Sequence, residues 1–268
     1  MRTPHQREHP KRTCPMCKAA YEGKIDEVKA LFLNDFFCNH KRHQKGYYAV
    51  AGGNSDVITF FLLNGIDLLD SINATIKYGR YEVFLWLLGN FPSIQNEINV
   101  KDLNFKIAKG GSVNIVKELI KEMNINFLEI KNGWTPFSYA CKYGNIEFLD
   151  FLLSNYPEIK KFKSSAYNPL IIASKFNQPK VIDYLLKNTN ININIEQNKE
   201  TPLIVGIKLN KIEVVKELLK SNSLDINIPK SNPPLIQAIY ANHFEIIKLL
   251  IKDKRININS KNEIGIFP

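Results

Sequence analysis

Residues 133–153 read Gly133-Trp134-Thr135-Pro136-Phe137-Ser138-Tyr139-Ala140-Cys141-Lys142-Tyr143-Gly144-Asn145-Ile146-Glu147-Phe148-Leu149-Asp150-Phe151-Leu152-Leu153. The stretch matches other parts of the same chain. Its turn proline recurs at Pro136, Pro169, Pro202, Pro234 and Pro268, in steps of 33, 33, 32 and 34 residues. A fixed period of this size is the mark of a stacked repeat architecture. Thr135 followed by Pro136 starts a helix: the hydroxyl caps open amides, and proline at the first helical position gives up an N–H that has no partner there. Gly144 ends that helix, because a left-handed residue is cheapest for Gly. Ile146, Phe148, Leu149, Leu152 and Leu153 then follow at helical spacing. Neither helix is long enough to stand alone, so neighbours must cover its apolar face.

A Thr-Pro start, a small residue at Ala140, a terminating Gly and a Leu-Leu second helix together resemble an ankyrin repeat. The likeness runs over about residues 13–268. It implies an all-α fold: an α-solenoid of about eight helix-turn-helix repeats with intervening hairpin loops. The first three repeats are degenerate. Repeat one holds Cys14-Pro15-Met16-Cys17, Ala19, Gly23, Val28, Leu31 and Phe32. Repeat two keeps Ala49, Gly53, Val57, Phe61 and Leu62, and repeat three keeps Gly79, Val83, Phe84, Leu87 and Leu88. Gly53 and Gly79 are only 26 residues apart, so the hairpin between them is expected to be short. The family's histidine is replaced by Ser138, Ile171, Ile204 and Ile236, and packing is expected to hold those turns instead. The terminating Gly becomes Asn177, Asn210 and Asn242, the substitution that left-handed geometry permits. Pairs at Ile125-Asn126, Ile191-Asn192, Ile226-Asn227 and Ile256-Asn257 resemble the family segment that leads into each hairpin.

Residues 1–12 carry Arg2, His5, Arg7, His9, Lys11 and Arg12 and read as a disordered basic tail. Gly265-Ile266-Phe267-Pro268 aligns with Gly133–Pro136, so a ninth repeat would begin there. The eighth repeat is therefore expected to be uncapped, with some of Phe244, Ile246, Ile247, Leu249, Leu250 and Ile251 exposed, as in a piece of a longer chain.

The chain has 268 residues, 44% hydrophobic and 23% charged, with a formal charge of +10. Lysines at solvated positions account for most of that excess. Runs such as Val83–Leu88 are far too short for a bilayer, which takes about 20 apolar residues. No charged-then-apolar leader opens the chain. A cytoplasmic location is the default, with the nucleus as the alternative.

Cys14 and Cys17 have zinc-ligand spacing, with Cys38, His40 and His43 downstream. The repeat explains them more simply as the Thr-Pro-Phe-Ser slots, so no metal is expected. No Gly-rich phosphate loop, nucleophile elbow or His-Glu-x-x-His occurs. The reading is of a non-enzyme with no catalytic residues and no cofactor. His243, beside Asn242, fills a slot where the family often has histidine, and a structural role is expected.

The family likeness implies binding of another protein on a concave face made of hairpin tips and first helices. Two slots before each terminator read Lys77-Tyr78, Lys142-Tyr143, Lys175-Phe176 and Lys208-Leu209; Lys109 and Tyr240 hold related slots. Trp134 and Tyr167 mark hairpin ends, and Tyr139 lies on a first helix. Lysine beside an aromatic suits an acidic partner with apolar area to bury. The expected protein is a monomeric interaction scaffold. The alternative is nucleic-acid or other polyanion binding through the basic tail and groove.

Overall fold

The computed structural model describes residues 14–33, 48–93, 98, 103–161, 168–229, 233–262, 265 and 268, with only the backbone of Glu122 and Lys161. The basic tail, Cys38, His40, His43 and Tyr167 lie outside these residues. Residues 1–127 and 128–268 form two compact units.

In the second unit each repeat is two antiparallel helices: Pro136–Tyr143 with Ile146–Asn155, Pro169–Lys175 with Pro179–Asn188, Pro202–Lys208 with Ile212–Leu219, and Pro234–Tyr240 with Phe244–Lys252. The first helices pack on one another in order, and so do the second helices, giving two helical layers. Every first helix begins at the proline that the period marks. Thr135 and Ser138 form a reciprocal cap. The Ser138 amide donates to Thr135 Oγ1 at 3.1 Å, and the Thr135 amide donates to Ser138 Oγ at 2.8 Å. At this turn the serine retains hydrogen bonds where packing alone was expected. At the next turns Asn168 Oδ1 accepts from the Leu170 amide and Thr201 Oγ1 from the Ile204 amide. Ile204 and Ile236 are buried, as the packing expectation has it.

The terminators behave as their chemistry requires. Gly144 has φ 79°, and Asn177, Asn210 and Asn242 have φ 57°, 51° and 54°. The left-handed residue reverses the chain within a residue or two, so the second helix folds back directly. Its apolar stripe is then covered: Phe148, Leu149, Leu152, Val181, Ile182, Leu185, Val214, Val215 and Leu218 are fully buried. Each such burial contributes roughly 1.5–3 kcal/mol before the entropy of ordering. In the last helix Ile246 and Leu250 are buried, whereas Phe244 and Ile251 are exposed.

Between repeats, asparagines act as stitches. Asn192 Oδ1 accepts from the Asn194 amide, Asp225 Oδ1 from the Asn227 amide and Asn257 Oδ1 from the Asn259 amide, so each folds its own loop. Asn194 then bonds Ser223 O and the Asp225 amide of the next repeat, and Asn227 bonds Arg255 O and the Asn257 amide. This corrects the sequence register: the equivalent isoleucines are Ile193, Ile226 and Ile258, not Ile191, Ile226 and Ile256. In Ile191-Asn192-Ile193-Asn194 the pair repeats every second residue, so pattern alone cannot choose.

The first unit is built alike: Pro15–Glu22 with Ile25–Leu33, helical residues 48–52 with Ser55–Leu63, Leu68–Tyr78 with Tyr81–Asn90, and Leu103–Gly110 with Val113–Glu122. Cys14 takes the capping slot that the repeat assigns to it, its Sγ 3.4 Å from the Cys17 amide. Two repeats of this unit end their first helix in Gly-Gly. A Cβ on Gly52 would fall 2.2 Å from Tyr21 O, and one on Gly110 would fall 2.0 Å from Ile76 O. The first glycine of each pair admits the neighbouring backbone; the second, Gly53 or Gly111, supplies the positive φ. The sequence reading recognised Gly53 and passed over Gly52.

Candidate functional site

The hairpin tip Lys131-Asn132-Gly133-Trp134 closes by paired backbone hydrogen bonds between Lys131 and Trp134. The tip sets the Trp134 indole against Tyr139 of the first helix of its repeat. Tyr139 and Tyr143 rise from the same helix, one turn apart. Phe176, from the next repeat, completes the group. Trp134 and Tyr139 meet edge to face with ring centroids 5.2 Å apart, and Trp134 lies 6.5 Å from Phe176.

Lys142 sits among these rings. Its Nζ is 4.8 Å from the Phe176 centroid, 5.2 Å from Trp134, 5.3 Å from Tyr143 and 5.5 Å from Tyr139. All four lie within the range where a ring quadrupole attracts a cation. The arrangement requires two stacked repeats, since Phe176 lies 34 positions after Lys142. A hydrogen bond also ties the two repeats together: Gln178 Nε2 donates to Lys142 O at 2.8 Å. Two other residues that follow a terminator make the same kind of bond. Arg80 donates to Ala51 O, and His243 Nδ1 donates to Ile207 O at 2.8 Å. The expected structural role of His243 is this inter-repeat bond.

The other predicted positions do not match Lys142. Lys77 lies over the Tyr78 ring at 5.0 Å, a contact of the same kind. Lys109 is half-buried. Lys175 is exposed and has no ionic partner among the described residues. Lys208 pairs with Glu200 at 2.9 Å, and Leu209 beside it is exposed. Tyr240 is exposed. The row of lysines is therefore uneven: one is set among rings, one is open and one is neutralised. Sequence reasoning missed Glu200 and the reach of Phe176 into the preceding repeat. A step of one repeat plus one residue from Lys142 would have pointed to Phe176.

Two titratable side chains away from this cluster are shifted by their surroundings. Burial pushes the Cys141 thiol far up, so it stays protonated. Burial and the hydrogen bond to Asp150 also raise Tyr184, whose hydroxyl donates to Asp150 at 2.8 Å. Among the described residues no three His, Cys, Asp or Glu side chains gather to hold a metal ion. No described helix is long and apolar enough to cross a membrane.

The human ASB11 ankyrin repeat domain is one similar solved structure, at 19% identity over 95% of this chain and 90% of that chain, with a TM-score of 0.44. No curated protein matches the chain. The family model for ankyrin repeats in three copies matches residues 71–165, 106–197 and 170–262. These matches cover more than half of the sequence, and they fall on the helix pairs, left-handed terminators and hairpin tips described above. The chain belongs to the ankyrin repeat family.

Proposed function

We propose that the protein is a non-catalytic scaffold that binds another protein through the face made of hairpin tips and first helices, the concave side of an ankyrin array. The observation that carries this reading is Lys142 set among Trp134, Tyr139, Tyr143 and Phe176. Half-buried aromatics at a surface supply amphipathic contact area at low entropic cost. A held cation gives a partner an electrostatic point of register. The excess of positive charge favours an acidic partner.

The test is affinity capture from nuclease-treated lysate with the wild-type chain and with Lys142, Lys175 and Lys208 all changed to Glu. Loss of a captured protein from the variant alone is the expected result. Identical captures would remove this face from consideration. Capture that depends on leaving the nucleic acid intact would favour the polyanion alternative.

A further inference from the structure

We propose that Lys142 and its four rings anchor an acidic–apolar segment of the partner: a carboxylate side chain set on the Lys142 ammonium, with an apolar side chain beside it on the rings. The proposal rests on the reading that the partner meets this face.

The physical reason lies in how the lysines differ. A surface lysine must freeze a flexible four-carbon stem before it can pair, which is why exposed ion pairs contribute little. The ring contacts of Lys142 already restrict that stem in the free protein. Much of the ordering therefore precedes binding, which is the general route to tighter association. Ring faces attract the ammonium, while ring edges carry partial positive charge and suit a carboxylate lying alongside. The same rings offer apolar area to a neighbouring side chain. A carboxylate alone uses half of this site, and so does an apolar side chain alone.

A cationic segment fits worse. It would have to expel Lys142 from the rings and approach a chain of charge +10. Lys208 is not an equivalent anchor, because a partner carboxylate there competes with Glu200, already 2.9 Å away. Lys175, exposed and one repeat on from Lys142, is a place for a second acidic residue of the same segment.

The test uses the full chain and fluorescein-labelled synthetic peptides, with Kd read by fluorescence anisotropy. The probe is Gly-Phe-Glu-Phe-Glu-Phe-Gly. Two controls replace every Phe by Ser or every Glu by Lys. The probe is expected to bind about tenfold tighter than either control, the step that one good contact supplies. Lys142→Gln should weaken binding of the probe by a similar factor, Lys142→Arg should retain it, and Lys208→Gln should leave it within about twofold. Circular dichroism of each variant confirms the fold. The anchor is overturned if Lys208→Gln costs as much as Lys142→Gln, if the lysine peptide binds tighter, or if no peptide binds below millimolar concentration. If the triple Glu variant still loses a captured protein while Lys142→Gln and Lys208→Gln act alike, the face binds its partner by diffuse charge and only the anchor falls. If capture is unchanged, the broader reading falls with it.

Discussion

Arg255 and Asp253 form a two-point ion pair, with Nε to Oδ1 at 3.0 Å and Nη2 to Oδ2 at 2.7 Å. The same guanidinium donates to Ser221 O at 2.7 Å and Leu219 O at 2.8 Å, at the end of the preceding repeat's second helix. Asp253 thus orients the group that satisfies open carbonyls of its neighbour, a strong form of hydrogen bond because the donor is charged.

The pair makes stability depend on pH in one direction. The hydrogen bond from Arg255 holds the Asp253 carboxyl below its ordinary range. A carboxylate lowered by folding stabilises the protein above its unfolded value, about 3.9, and loses that contribution as pH falls through the folded value. Arg255 stays charged throughout. The melting temperature of wild type should therefore exceed that of Asp253→Asn at neutral pH, and the gap should close below about pH 4. A gap that is constant down to pH 2 would mean that the charge on Asp253 does not matter.

Glycines within one unit should respond to alanine in opposite ways. A methyl on Gly110 would lie 2.0 Å from the Ile76 carbonyl, a backbone atom that moves only if the repeats part. Gly89, in helix Tyr81–Asn90, has nothing within 4 Å of the same methyl and no positive φ. Gly110→Ala should cost about 3 kcal/mol or more, at the upper end of overpacking. Gly89→Ala should gain up to about 1 kcal/mol from helix propensity. Urea midpoints for the two variants decide this; equal shifts would refute the close approach.

Much of this fold is legible in the sequence because its signals are local. Proline after a capping residue starts a helix, and Gly or Asn in left-handed geometry ends one. Neither depends on what packs against it. The facing of Phe148, Leu149 and Leu152 follows from helical spacing alone. What escaped the sequence depends on the adjacent repeat. Gly52 and Gly110 are small because a neighbour's backbone touches them, and Phe176 serves a lysine one repeat back. Glu200 neutralises Lys208 across a turn. The true register of Ile193 and Ile258 is set by which asparagine reaches the next loop. The candidate site was accordingly read as a row of similar lysines, whereas stacking makes each one different.

Burial separates two residues of one repeat by more than their size suggests. Leu185 is fully buried between helical layers, and Lys175 is exposed. Leu185→Ala should cost about 2–5 kcal/mol, as removal of a packed side chain does. Lys175→Ala should stay within about 0.5 kcal/mol. Chemical denaturation of both variants tests the facing of the repeat, and similar losses would contradict it.

Asn177 isolates the contribution of the left-handed terminator. Its side chain is exposed, its φ is 57°, and its backbone closes the turn: its amide donates to Ser174 O, and the following amide of Gln178 donates to Ala173 O at 2.8 Å. Alanine there keeps the backbone bonds and the Cβ that asparagine already sets against the following carbonyl, a contact of roughly 1–2 kcal/mol, but lacks the short polar side chain whose local hydrogen bonding offsets it. Glycine meets no such contact and adopts positive φ readily. Asn177→Ala should therefore lower the urea midpoint clearly, while Asn177→Gly should leave it nearly unchanged or raise it. Because neither variant removes buried area, the difference between them reads the backbone conformation alone. Equal midpoints for alanine and glycine would show that this turn does not require left-handed geometry in solution.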